Sequence, residues 1–145
     1  MATGSARDDT PVPLSRRLSH RWPTIAAVAL VVATFVDGVP PLGLLAGLLA
    51  VMPVCYLLFG AFRGELRGAR VLAVQVVGLA GFAAVALLAL AVDGTWGLRV
   101  IAVGWLAHGV WDVVHHRSGR VVPRAWSEWC AVVDVGGAFA TLALA

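Results

Sequence analysis

The densest group of residues that could do chemistry lies in residues 105–116, an otherwise apolar stretch that reads Trp-Leu-Ala-His-Gly-Val-Trp-Asp-Val-Val-His-His. On an α-helix, at roughly 100° per residue, His115 lies about 20° and Asp112 about 40° from His108, so the three side chains share one face. His116 lies about 80° away and is the weakest member of the group. Ionisable residues in a membrane helix are costly to bury and usually mark a functional site inside the bundle.

A second group of polar residues lies in the last apolar run, which carries Glu128 and Asp134. At about 1.5 Å per residue, Asp134 lies roughly 15 Å inward from the arginines that precede this run, and His108 lies at a similar depth. The two helices are joined by a short loop and should pack as antiparallel neighbours, so we expect Asp134 to meet His108. Glu128 points about 120° away from Asp134 and fits an interfacial position better.

These residues fit two kinds of catalytic chemistry. A His/Asp group in a low dielectric can exchange protons with a lipid or an isoprenoid-like molecule, with His108, Asp112, His115 and Asp134 as the catalytic residues. This acid/base chemistry requires no cofactor. Alternatively, His108, Asp112, His115 and Asp134 could be the ligands of a single zinc or iron ion, since the first three are spaced one helical turn apart on the same helix.

Two further interpretations involve no catalysis, and the sequence does not decide whether the chain is an enzyme. Buried His and Asp residues also relay protons, which is typical of a small proton-coupled transporter. They can also form a hydrogen-bonded polar cluster that only holds two helices together. If a substrate binds, Trp105, Trp111 and Cys130 are the candidates to contact it.

The composition predicts the class of protein that must position these residues. Of 145 residues, 60% are hydrophobic and 13% charged, whereas about a quarter of an average soluble domain is charged. We therefore predict an all-α, polytopic membrane bundle of about five transmembrane helices, at about 22–37, 42–62, 71–92, 96–116 and 125–145. The polar residues 1–21 should form a disordered cytoplasmic tail before this 22–145 membrane domain.

An internal similarity suggests that two helical hairpins arose by duplication. The sequence Val-Asp-Gly occurs at residues 36–38 and again at residues 92–94, each time between two predicted spans. This spacing fits a repeated hairpin, a common plan in membrane proteins. Under this alignment Met52, Tyr56 and Phe59 take the positions of His108, Asp112 and His115, and only the second hairpin carries the ionisable site.

The distribution of arginine predicts the orientation in the membrane. All eleven basic residues are arginines, and every one except Arg99 falls on the same side of the predicted spans. The positive-inside rule then puts the N-terminus in the cytoplasm and the C-terminus outside, in the inner (plasma) membrane of a cell. The arginines are not clustered as a nucleic-acid-binding face requires, so we expect no nucleic acid partner. Membrane lipids are the expected partners, and a transporter of this size would need a homo-oligomer.

Three motifs lie close together in the last third of the chain: W-L-x-H-x-x-W-D-x-x-H-H from Trp105, then Val122-Pro123, then Cys130-Ala131-x-x-Asp134. In these motifs, over roughly residues 104–137, the chain resembles a family of small bacterial multi-pass membrane proteins of unknown function. The resemblance implies that Cys130 and Asp134 are partners of His108 and Asp112, and it implies no activity. That family usually has Pro-x-x-Pro-Thr-Ser-Ser before Gly-Cys-Ala, whereas residues 124–129 here read Arg-Ala-Trp-Ser-Glu-Trp, so Ser127 alone could replace those hydroxyls.

Overall fold

The computed structural model describes residues 21–92 and 94–145, and within them the chain forms five α-helices. The helices are α1 (Trp22–Phe35), α2 (Leu42–Phe62), α3 (Ala69–Ala91), α4 (Gly94–Ser118) and α5 (Arg124–Leu144). The all-α prediction is confirmed, and each predicted span agrees with a helix to within two residues at either end. Residues 1–20 of the predicted tail lie outside the described residues, as does Asp93, which falls between the third and fourth predicted spans.

Four of the five helices, α2 to α5, are long and apolar enough to cross a membrane. The first helix is different, because α1 has only 14 residues and is about 21 Å long, whereas a bilayer core is about 30 Å thick. It ends two residues earlier than predicted, before Gly38 adopts a φ of +111°. Pro40 and Pro41 then delay the start of α2, since proline cannot extend a preceding helix.

The bundle exposes many large apolar side chains and buries a group of polar ones beside its apolar core, which is unlike a protein folded in water. Large apolar side chains on several helices point outward, among them Val77, 70% exposed, and Leu87, 67% exposed. The buried polar and charged side chains among the described residues are Gln75, His108, Asp112, His115, Ser127, Asp134 and Thr141. This arrangement fits a hydrocarbon solvent, in which every buried polar group needs an internal partner.

Helix α4 occupies the centre of the bundle, because it packs against α2, α3 and α5. Its most extensive contact is with α5, as the short loop between them predicts. Helix α1 packs against α5, whereas α3 packs along both α2 and α4. The two predicted hairpins therefore do not form a repeated packing unit, since α3 and α4 pair closely and α1 and α2 do not.

Close packing of α4 against α5 depends on an indole ring that lies directly on a glycine. A Cβ added at Gly137 would come within 2.4 Å of Cζ3 of Trp105. The ring is held from its other side, because Trp105 Nε1 donates a hydrogen bond of 3.3 Å to the carbonyl oxygen of Leu45 on α2. Trp105 thus connects three helices through one side chain, and small residues at such contacts let membrane helices approach closely.

Replacing Gly137 with Ala should therefore destabilise the bundle, because Trp105 must move away from both Gly137 and Leu45. Overpacking of this kind costs about 1–3 kcal/mol. The matched control is Gly47→Ala on α2, where an added Cβ meets nothing within 4 Å. We expect the midpoint of thermal unfolding in detergent to fall for Gly137→Ala and to stay level or rise for Gly47→Ala. Equal midpoints for the two variants would contradict the tight contact.

Candidate functional site

Three ionisable side chains meet at the interface of α4 and α5, and we call them the buried cluster: His108, Asp112 and Asp134. Each of the three is 0% exposed. His108 Nδ1 lies 2.6 Å from Asp134 Oδ2 on α5 and 3.4 Å from Asp112 Oδ2 on its own helix. The structure thus brings His108 and Asp134 together across the two helices, as the depth argument predicts.

The approach of Asp134 to His108 is made possible by the residue that follows the histidine. A Cβ added at Gly109 would lie 3.0 Å from Cγ2 of Val135 and 3.5 Å from Cβ of Asp134. Glycine at this position therefore lets the backbone of α5 come close to α4. The hydrogen bond between His108 and Asp134 depends on that closeness.

A tyrosine completes the surroundings of the buried cluster. The Tyr56 hydroxyl on α2 donates a hydrogen bond to Asp112 Oδ1, and its ring meets that of His108 edge-on with the ring centroids 5.8 Å apart. Sequence reasoning did not include Tyr56 in the site, although two signals were available. It is the only tyrosine in the chain, in the middle of an apolar span, and the hairpin alignment pairs it with Asp112.

Three atoms of the buried cluster have no hydrogen-bond partner among the described residues: His108 Nε2, Asp112 Oδ2 and Asp134 Oδ1. Buried polar atoms without partners are rare in folded proteins and usually indicate a functional site or a bound species. The ring of His108 packs against that of Phe82 on α3, with the centroids 4.8 Å apart. The imidazole is therefore held through Nδ1, and its ring packs against the aromatic rings of Phe82 and Tyr56.

The residues that could hold a metal ion are the members of the buried cluster. His108, Asp112 and Asp134 each offer one ligand atom, and these atoms lie within 4.8 Å of one another. The predicted ligands His108, Asp112 and Asp134 are thus together in this group, whereas His115, the fourth residue of the predicted set, lies outside it. Two carboxylates and one imidazole form a hard, three-ligand set of the kind that binds zinc or iron with a position left open.

His115 belongs to a second polar layer, nearer the end of the bundle that carries the arginine-rich loops. Its Nδ1 donates a hydrogen bond of 2.9 Å to the backbone oxygen of Trp111. Its Nε2 is then free to accept a hydrogen bond from the amide nitrogen of Gln75, at a distance of 3.0 Å. Both ring nitrogens are occupied, which is why His115 does not join the buried cluster. The Tyr56 ring lies between the layers, with its centroid 4.8 Å from that of His115.

The three predicted substrate-contacting residues occupy different places. Trp111 is half-buried and packs between His115 and Phe82, and its buried indole Nε1 has no hydrogen-bond partner within residues 21–92 and 94–145. Cys130 is buried one helical turn before Asp134. Trp105 lies in the apolar core with its indole bound to α2 and does not reach the buried cluster's polar atoms.

The remaining polar residues serve the helix ends. Glu128 accepts a hydrogen bond of 2.5 Å from Thr24 on α1, which places it on a different side of α5 from Asp134. His116 Nδ1 donates to the backbone oxygen of Arg124 at 3.0 Å. Ser127 donates to the same carbonyl oxygen at 3.1 Å, so its hydroxyl supports the start of α5 and lies away from the buried cluster.

The comparison with known proteins adds a family to this geometry. A model of a family of unknown function, DUF6010, matches residues 24–144. The chain belongs to this DUF6010 family. The matched region contains every residue of the buried cluster and of the second polar layer. No curated protein and no solved structure is similar to the chain, so the chemistry of this DUF6010 member has to be inferred from its own residues.

The hydrogen bond from Tyr56 should stabilise the fold, because its hydroxyl donates to the buried Asp112 carboxylate. Tyr56→Phe keeps the ring and removes the hydroxyl, and an unsatisfied buried acceptor costs about 1–3 kcal/mol. Thr24→Val, which removes the donor to the half-buried Glu128, is the matched control and should cost under about 1 kcal/mol. Thermal unfolding in detergent measures both, and an unchanged midpoint for Tyr56→Phe would show that Asp112 does not depend on Tyr56.

Proposed function

We propose that the chain is a membrane enzyme that carries out acid/base chemistry on a lipid or isoprenoid-like substrate at His108. One observation carries this proposal. Asp134 holds Nδ1 of the imidazole at 2.6 Å, while Nε2 is buried and has no hydrogen-bond partner among the described residues. A carboxylate that accepts from Nδ1–H fixes the tautomer in which Nε2 is the free base.

The two carboxylates also account for the charge that such a step produces. When Nε2 takes a proton from a substrate, the ring becomes an imidazolium between Asp134 and Asp112. In a low-dielectric interior an isolated imidazolium would be very costly, and two neighbouring carboxylates offset that cost. Tyr56 donates to Asp112 and so keeps this carboxylate oriented when the imidazole changes charge.

An apolar substrate fits the surroundings of Nε2. Phe82 and Trp111 are both half-buried and their rings meet edge-on with the centroids 6.0 Å apart. They lie on α3 and α4 beside His108 and the second layer, where displacement of one ring would give a molecule from the bilayer access to His108. Cys130 offers a small, polarisable wall on the α5 side.

The proposal also includes the orientation of the protein in the membrane, its location and its partners. We place the arginine-rich end of the bundle in the cytoplasm of a bacterial cell and the chain in its plasma membrane, on the positive-inside rule. The residues before α1 then form a cytoplasmic tail. Membrane lipids are the partners, and the enzyme is complete in one copy because one chain supplies the whole cluster.

The proposal is tested by comparing Asp134→Asn with wild type in a deletion strain. The amide keeps nearly the same shape, so insertion and folding should survive at a cost well under about 2 kcal/mol. Activity should be lost, because an amide does not titrate near neutral pH and cannot compensate an imidazolium. Asp112→Asn should behave likewise, whereas Glu128→Gln should be the mildest of the three.

The readout is the lipid extract of cells with and without the gene, compared by mass spectrometry and then repeated with each variant. The enzyme is supported if a lipid differs between cells with and without the gene and if Asp134→Asn fails to restore that lipid to its wild-type level. A fully complementing Asp134→Asn protein would sink the catalytic role of the cluster. An unaltered lipid profile would instead favour a proton-coupled transporter that uses the same groups.

A metal-dependent membrane enzyme is the second candidate, favoured by the three ligand atoms that lie within 4.8 Å of one another. Bound zinc or iron would supply Lewis-acid chemistry at the buried cluster. The metal content of mildly purified protein decides between the two candidates. A stoichiometric ion should be lost in His108→Ala and retained in the matched variant His115→Ala. Wild-type protein that carries no metal would reject the metal-dependent enzyme and favour metal-free acid/base chemistry.

A further inference from the structure

An open cleft of about 260 Å³ lies at the arginine-rich end of the bundle, between α3 and the end of α4. Its lining combines charged, polar and apolar side chains, with Arg70 and Arg120 among them. Arg120 shares the single carboxylate of Glu65 with Arg63, at 3.7 Å and 3.8 Å. Arg70 makes no ion pair within the part of the chain that the structure describes. The cleft therefore carries an excess of positive charge.

The floor of the cleft contains a polar group that lacks a partner. Gln75 is 3% exposed and lines the cleft. Its amide nitrogen is engaged with His115 at 3.0 Å, while its Oε1 is buried without a hydrogen-bond partner among the described residues. A buried amide oxygen in this state is an acceptor for a hydroxyl group. The cleft thus offers cationic donors at its edge and one acceptor at its floor.

The apolar part of the lining indicates what kind of molecule fits. Val71, Val74 and Val121 form the apolar walls of the cleft, beside Ser118 and His115, and Val74 is 46% exposed on α3. An acyl chain can follow this face while its headgroup stays at the level of the arginines. A soluble anion would find the same arginines but would gain nothing from the valines.

We propose that this cleft binds the phosphate-bearing, hydroxylated headgroup of an anionic membrane lipid. Arg70 and Arg120 donate to the phosphate oxygens, since guanidinium groups match phosphate geometry. Gln75 Oε1 accepts from a headgroup hydroxyl. The proposal of a lipid-binding site is argued from the cleft alone. The further step, that the bound lipid is the substrate and that its tail reaches toward His108, rests on the proposed function.

His115 and Tyr56 lie between the cleft and the buried cluster. His115 contributes to both the cleft and the second polar layer, and the Tyr56 ring connects that layer with the buried cluster. His115 and His108 lie seven residues apart on α4, which is about 10 Å along the helix. A lipid held in the cleft would thus lie one polar layer away from the site of chemistry.

Binding is tested by native mass spectrometry of the full chain in detergent, with phosphatidylglycerol as the probe and phosphatidylcholine as the reference lipid. We expect phosphatidylglycerol to bind on the order of tenfold more tightly than phosphatidylcholine. The double variant Arg70→Gln/Arg120→Gln should lose this preference. The matched control is Arg67→Gln/Arg117→Gln, which removes the same charge from the same end at two exposed arginines outside the cleft.

Each outcome bears on the proposal. Equal loss in both double variants would overturn it, because general attraction to the arginine-rich end would then explain the preference. If glycerol 3-phosphate competes as well as the lipid does, the ligand of the cleft is a soluble phosphate ester, and the proposal of a lipid ligand is overturned. Gln75→Met should lower the affinity for phosphatidylglycerol and spare that for phosphatidic acid, which has no headgroup hydroxyl beyond its phosphate.

The same assay separates this proposal from the proposed function. Asp134→Asn protein should bind phosphatidylglycerol as wild type does, whether or not it is active, because Asp134 lies outside the cleft. Loss of catalysis together with retained binding supports both proposals. Retained catalysis in Arg70→Gln/Arg120→Gln protein that no longer binds the lipid would leave the enzyme standing and reject the cleft as its substrate site.

Discussion

The contact between His108 and Asp134 is the constraint on which the rest of the bundle depends. Two ionisable groups that are 0% exposed have to find each other, because neither could stay in hydrocarbon alone. Their bond fixes the depth at which α4 and α5 pair. Gly109 and Gly137 then allow the close approach, and Trp105 extends the same register to α2 through Leu45. Packing and chemistry thus meet in one helix pair.

Sequence reasoning reached this pair because its signals are local. The helical spacing of His108, Asp112 and His115, and the short loop before α5, determine which faces meet and at what depth. The all-α class follows in the same way from long apolar runs. The short first span is also visible in the sequence, because the turn at Gly38 and the two prolines after it limit how far α1 can extend.

The contacts that sequence reasoning missed are those that depend on the arrangement of the whole bundle. Whether Tyr56 or Gln75 reaches α4 depends on how α2 and α3 pack around it, and helical periodicity carries no information about that. His115 shares a helical face with His108, yet Gln75 and the Trp111 carbonyl oxygen occupy its ring nitrogens. His115 therefore lies outside the buried cluster, whereas Asp134, 26 residues away from His108 in the chain, lies within it.

The short length of α1 has a consequence for the bilayer itself. At 14 residues, this helix falls about 9 Å short of an average hydrocarbon core, whereas its neighbour α5 matches it. If a helix of this length crossed a bilayer, the hydrophobic mismatch would be relieved by compression of nearby lipids, and the membrane would be thinned along that flank of the protein. A protein of this shape would partition toward thinner or more fluid regions of a membrane. Its flank with α1 would also be the favoured side for contact with another short helix.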